Sequence, residues 1–265
     1  MKSRLLIVGA AGRMGKRIVA LAAESAQLEI VAAVERPGHP DLGKDAGLVA
    51  GITSMNVPVN DNYAAGAQVA VDFSTPQAAD QTIDYCLENA AALVLGTTGL
   101  SDRQHEKVKS ASEKIPVVYA TNMSVGMNVL FALAGRVASM LGDDYDVEIV
   151  EQHHHFKKDA PSGSALTLAE NICKATDRDF PGCLVHGRSG SDTLRQAGDI
   201  GMHAVRAGDI TGVHSVIFGG LGEKLTLNHT AQSRDTFVRG ALRAARWLVG
   251  KEPGLYSMAD VLGLS

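Results

Sequence analysis

The chain is 265 residues long, 45% hydrophobic and 20% charged, enough to bury an ample core in one large domain or two small ones. Its formal net charge of −4 argues against a nucleic-acid partner, because such binders carry a basic surplus. In chain order, the first half alternates two periodicities. Residues 4–9 form a short apolar run ending in glycine, which suits a buried strand, and an Ala-rich helix is predicted over 13–26. Strands follow at 29–35 and 69–73, then a helix at 76–89 opened by Pro76. A strand at 92–96, a helix capped by Ser101 and a strand at 116–120 complete this half. Strands alternating with helices imply parallel pairing through right-handed crossovers. The expected fold class is α/β, with a doubly wound, Rossmann-type parallel sheet.

The second half changes character. A helix is predicted over 125–141, a strand over 147–152 and a helix over 163–175. Three strands then come close together, at 202–206, 213–218 and 224–230, which suggests a mixed sheet in a second, α+β domain. Residues 176–200 are rich in Gly, Asp and Ser and read as a long surface loop. The last helix, 234–249, carries an apolar stripe through Phe237, Ala241, Ala244, Ala245 and Leu248. No run of about 18 apolar residues is found, so no membrane span is expected. The apolar N-terminal strand is too short for a signal peptide. Cys86, Cys173 and Cys183 show no C-x-x-C spacing, so neither a disulfide framework nor a zinc site is expected. They fit reduced thiols in a cytoplasmic protein.

Between the first strand and first helix lies Gly9-Ala10-Ala11-Gly12-Arg13-Met14-Gly15, an approximation to G-x-G-x-x-G. Gly9 ends the strand, Gly12 lets the backbone approach a pyrophosphate at the helix N-terminus, and Gly15 allows close helix–strand contact. The second strand ends at Glu35-Arg36, where a carboxylate grips a ribose hydroxyl and an arginine meets a 2′-phosphate. The expected cofactors are NADH and NADPH. Phe73, Gly96, Thr97, Thr98 and Ala120-Thr121-Asn122-Met123 follow the other strands and would line the same crevice, with small polar side chains for a carboxamide.

Residues 151–164 concentrate the chemistry. His153, His154 and His155 are followed by Lys157 and Lys158, then by a Pro-Ser-Gly turn that opens a helix. Titratable groups near pH 7, cationic side chains and helix N-terminal amides suit a small anionic substrate that must also receive a proton. Consecutive strand residues point to opposite faces, so three neighbouring histidines do not converge on one ion and no metal is expected.

Several segments together resemble the 4-hydroxy-tetrahydrodipicolinate (dihydrodipicolinate) reductase family. They are residues 9–15, Glu35-Arg36, Asp72-Phe-Ser-Thr-Pro76, Gly96-Thr-Thr-Gly99, Asn122-Met-Ser-Val-Gly126, His153-His154 with Lys157, Asp159-Ala-Pro-Ser-Gly163, Arg206-Ala-Gly-Asp-Ile210, His229 and Arg234-Asp-Thr-Phe237. The resemblance implies NAD(P)H-dependent reduction of a cyclic imine dicarboxylate with loss of water, giving tetrahydrodipicolinate for lysine and diaminopimelate biosynthesis. It implies that His153 donates a proton, that Lys157 is catalytic and contacts substrate, and that His154, Gly163 and Ser164 bind substrate. Residues 1–123 with 235–265 would form the dinucleotide-binding domain, and 124–234 a substrate-binding and tetramerisation domain of a cytoplasmic homotetramer. The family commonly has Arg-His where this chain has His155-Phe156. One rival is another two-domain amino-acid dehydrogenase, and a second is an NAD(P)-sensing regulator. Neither needs the His-His-x-x-Lys-x-Asp-Ala-Pro-Ser-Gly segment.

Overall fold

The computed structural model describes residues 2–264, which divide into two compact units: residues 2–125 with 235–264, and residues 126–234. In the first unit β1 (Ser3–Val8), α1 (Arg13–Ala23), β2 (Leu28–Val34), α2 (Ala46–Val49), β3 (Val59–Asn60), β4 (Val69–Asp72), α3 (Pro76–Glu88), β5 (Ala92–Leu95), α4 (Asp102–Ser112) and β6 (Pro116–Tyr119) follow one another. The second unit holds α5 (Val125–Leu141), a 3₁₀ turn (Gly142–Asp144), β7 (Asp146–His153), α6 (Gly163–Thr176), β8 (Leu184–His186), β9 (Ile200–Arg206), β10 (Gly212–Gly220) and β11 (Glu223–Ala231). The chain then returns to the first unit as α7 (Asp235–Leu248), β12 (Gly254–Tyr256) and α8 (Met258–Leu262).

The first sheet is parallel throughout, in the order β12-β6-β5-β4-β1-β2-β3. Helices cover both faces, so its central strands are continuous apolar runs. Alternation along β1 sends Leu5 and Ile7 to the core shared with α1 and α7, and Leu6 and Val8 to the core shared with α3 and α4. Strand order reverses about β1, so the loops after β1 and β4 open side by side at the carboxyl edge, where ligands bind in such sheets. Gly240 lets α7 lie close to the backbone, since a Cβ there would fall 1.7 Å from the Met123 carbonyl oxygen.

The second sheet runs β11-β10-β7-β9-β8, with β10 antiparallel to β7 and β11, and β7, β9 and β8 parallel. One face packs under α5 and α6 through Val147, Ile149, Met202, Val216 and Phe218. The two helices approach closely at Gly135, where a Cβ would lie 2.7 Å from the Asn171 carbonyl oxygen.

Both sheets match the expected fold class, but several short elements depart from the sequence reading. Residues 176–200 are not one long loop, because Leu184–His186 pairs with β9. α2, β3, β12 and α8 have between two and five residues each, too few to show a period. Val125–Asp144 is long and apolar enough, by length and composition alone, to match a membrane span. Counting unbroken apolar runs misses this, since Asn128, Arg136 and Ser139 interrupt the segment. Met127, Leu130, Ala134 and Ala138 bury against the second sheet, the behaviour of a core helix.

Candidate active site

In the first unit the loop after β1 is shaped by glycine. Gly9 has φ +76°, and a Cβ there would lie 3.0 Å from Ser74 Cα; a Cβ on Gly15 would lie 2.0 Å from the Gly9 carbonyl oxygen. No other residue permits that turn and that closeness. Gly12 caps α1 without a side-chain hydrogen bond, so first-turn amides face the cavity rather than a capping side chain. That cavity, of about 850 Å³, is lined by Gly9, Gly12, Arg13, Met14, Glu35, Arg36, Phe73, Gly96, Thr97 and Thr98 among others. The glycine cradle and the uncapped helix start fit a dinucleotide pyrophosphate. Glu35 accepts hydrogen bonds from the Ala11 amide (3.2 Å) and the Arg36 amide (3.0 Å). Its carboxylate therefore ties the phosphate loop to the end of β2. Gly96 makes room for Phe73, since a Cβ would fall 2.4 Å from the ring.

Not every expected residue reaches the cavity lining. Ala10, Ala11 and Gly15 are buried members of the loop outside the lining, the Met123 side chain lies in the core, and Ala120, Thr121 and Asn122 also stand outside the lining. Asp61, Tyr63, Gln77 and Gln81 line it without having been anticipated. Behind the lining stands Asp72, also unanticipated as a site residue. Fully buried at the end of β4, it accepts from the Ser74 amide and hydroxyl and from the hydroxyls of Thr82 and Thr97. Its signal is an acidic residue closing an otherwise apolar strand, since an unpaired carboxylate is too costly to bury there.

In the second unit, strand register assembles the histidine site. Alternation puts Glu151 and His153 on the helix-covered face of β7. Pairing sets His214 of β10 opposite Glu151, and Arg206 of β9 opposite His153. His153 Nδ1 lies 2.5 Å from Glu151 Oε2. Both terminal nitrogens of Arg206 reach Glu151, at 2.7 and 2.8 Å, and the Ser162 amide donates to Oε1 at 3.0 Å. Burial pushes the Glu151 carboxyl up, but Arg206, His153 and the Ser162 amide outweigh it and hold the group below the usual carboxylate range. Burial lowers His153 against the opposing pull of Glu151, and Lys157 and Arg206 lower it further. Burial also pushes His214 down, to about 4, so this ring is neutral at pH 7. Its Nε2 sits 3.1 Å from Ser162 Oγ, and its ring meets His153 edge-on at 5.2 Å.

The three consecutive histidines diverge. His155 turns to the Gly208 carbonyl at 2.9 Å, and His154 leaves a buried Nδ1 without a hydrogen-bond partner among the described residues. Lys157 Nζ pairs with Asp159 at 2.8 Å, and Lys158 is exposed. Ser162 caps α6 through the Ala165 amide, leaving Gly163 exposed at the helix start with open space around its Cα. The site thus offers a hydrogen-bonded imidazole, a lysine and a helix N-terminus, which together can bind a carboxylate and deliver a proton. Glu151, Arg206 and His214 were not anticipated. Glu151 carries a readable sign, an acid at a core-facing position in Val147-x-Ile149-x-Glu151, whereas its partners follow only from register.

Known proteins resemble this chain along nearly its whole length. A family model described as dihydrodipicolinate reductase, N-terminus, matches residues 3–123, and one described as dihydrodipicolinate reductase, C-terminus, matches residues 126–262. The chain is 45% identical over 264 residues to a 4-hydroxy-tetrahydrodipicolinate reductase from Trichlorobacter lovleyi, covering 98% of this chain and 99% of the relative. A dipicolinate-bound dihydrodipicolinate reductase from Paenisporosarcina sp. TG-14 superposes with a TM-score of 0.77 at 26% identity, covering 98% of this chain and 99% of that one. An aspartate dehydrogenase from Thermotoga maritima matches with a TM-score of 0.50 at 16% identity, covering 95% and 99%, a likeness of fold alone.

Proposed function

This chain belongs to the dihydrodipicolinate reductase family, and on that premise we propose how its two sites divide the work of a 4-hydroxy-tetrahydrodipicolinate reductase. It is an NAD(P)H-dependent oxidoreductase that reduces a cyclic imine dicarboxylate with loss of water, giving tetrahydrodipicolinate for lysine and diaminopimelate biosynthesis. The first unit binds the dinucleotide, with the loop of residues 9–15 at the pyrophosphate, Glu35 and Arg36 at the adenosine ribose, and Phe73, Gly96, Thr97 and Thr98 toward the nicotinamide. Asn122 and its neighbours Ala120, Thr121 and Met123 support that end through their backbone. A bound reduced nicotinamide supplies the hydride.

The second unit binds the substrate. Its two carboxylates call for cationic and N–H donors, which Lys157, His154 and the Gly163-Ser164 helix start provide. His153 delivers the proton that balances the incoming hydride. Its lowered pKa leaves it largely neutral in the free protein near pH 7, and a dianionic ligand beside it favours the charged form. Substrate therefore charges its own acid. The observation that carries this reading is the His153–Glu151–Arg206 arrangement beside Lys157 and an open helix N-terminus. The aspartate dehydrogenase rival shares the fold but has no use for that segment.

The second unit also mediates assembly into a homotetramer, and the enzyme works in the cytoplasm. Support for the assembly comes from the sheet face opposite α5 and α6. It carries Val150, Val205, Val213 and Ile217, none of them fully buried. Support for the location comes from three free cysteines and biosynthetic relatives.

Steady-state kinetics with freshly prepared 4-hydroxy-tetrahydrodipicolinate test the assignment. His153→Ala and Lys157→Ala should each lower kcat/KM by about 100-fold or more. Wild type that oxidises NADH and NADPH no faster than these variants contradicts it.

A further inference from the structure

We propose that Glu151 is a positioning residue for catalysis: its buried carboxylate takes the Nδ1 proton of His153 and fixes the imidazole in the tautomer whose Nε2 exchanges the proton with substrate. The inference rests on the reading of His153 as the proton donor. Four observations carry it. Glu151 is fully buried, yet among the described residues its carboxylate faces only donors: Arg206 twice, the Ser162 amide and His153. A carboxylate so placed is ionised and can only accept, so the His153 nitrogen facing it carries a proton. The other nitrogen, Nε2, makes no hydrogen bond with any described residue, and the position beside it on the neighbouring strand is a glycine. Gly212 stands there, and a Cβ on it would lie 3.2 Å from Nε2. Fourth, Arg206 holds the carboxylate by both terminal nitrogens, the planar fork that best fixes orientation.

The charges around His153 decide what Glu151 does beyond orientation. From β7 comes Glu151, from β9 Arg206, from β10 His214, and from the following loop Lys157, itself paired with Asp159. His229 acts on His214 from β11. Lys157 and Arg206 oppose a second positive charge, and His214 is neutral, so of these groups Glu151 alone favours the imidazolium. The same carboxylate takes the amide of Ser162, whose hydroxyl caps α6. One buried group thereby holds the acid and the start of the anion-binding helix in register, an arrangement that reacting geometry demands.

Two measurements test this. In wild type without ligands, the ¹⁵N spectrum of the imidazole lost in His153→Asn should show the neutral ring protonated at Nδ1; the Nε2-protonated form overturns the proposal, whatever the reaction. In kcat/KM against pH, Glu151→Gln keeps a hydrogen-bond acceptor but removes the charge. The limb on which activity falls with rising pH should move to lower pH, with about a tenfold loss at neutral pH for each unit moved. Glu151→Asp, which keeps the charge, should leave the limb near its wild-type position while lowering kcat. If wild type turns over and Glu151→Gln keeps the wild-type limb, Glu151 has no such role and the assignment of His153 stands. If Glu151→Gln does not fold, the wild-type tautomer decides the proposal. If wild type does not reduce the substrate, the reaction assignment fails and the tautomer still reports the Glu151 contact.

Discussion

Glu35 shows how one side chain serves two tasks at the cofactor site. Its oxygens accept from the amides of Ala11 and Arg36, which orients the carboxylate toward the cavity and braces the phosphate loop. Glu35→Ala should therefore weaken both cofactors, and NADH more than NADPH, because only NADH presents the 2′-hydroxyl. The NADH loss should be about tenfold or more, the worth of a hydrogen bond to a charged group. Calorimetric titration checks this, and equal losses for the two cofactors would rule out the ribose contact. The residue scale also shows why some members of the sites were readable and others were not. The glycine loop, Glu35-Arg36 and His153-Lys157 sit in short contiguous motifs. Asp72 and Glu151 owe their meaning to donors 10–25 and 11–55 positions away, which only folding brings near.

At the scale of elements, the long helices were legible because each repeats its period several times, and the main strands because they are short apolar or alternating runs between turn residues. β3, β8, β12 and the two shortest helices were not. Each lies against a neighbour that supplies its order: β12 adds to β6, and β8 adds to β9. The second sheet also leaves a question of cover. Its helix side is filled, whereas on the other side Val205 is 41% exposed among Val150, Val213 and Ile217. Burial of such an open apolar sheet face by further copies of the chain is its natural completion. Sedimentation velocity should show a tetramer for wild type and smaller species for Val205→Asp, which places a charge in that interface. A wild-type monomer contradicts the assembly, and an unchanged tetramer in the variant contradicts this choice of face.

Across the whole molecule, the chain leaves the first unit after β6, builds a complete second unit, and returns through α7 to finish the first. α7 buries Val238, Ala241, Ala244, Ala245 and Leu248 in the core it shares with α1. The N-terminal and C-terminal segments thus make one cofactor-binding unit, and neither alone contains its core. The chain as a whole carries out a reduction with loss of water on a cyclic dicarboxylate. The most direct measurement uses NADH or NADPH deuterated at the transferred position, with the product read by mass spectrometry. The product should be tetrahydrodipicolinate that carries one deuterium on carbon and lacks the substrate hydroxyl. A product without deuterium, or one that retains the hydroxyl, would contradict it.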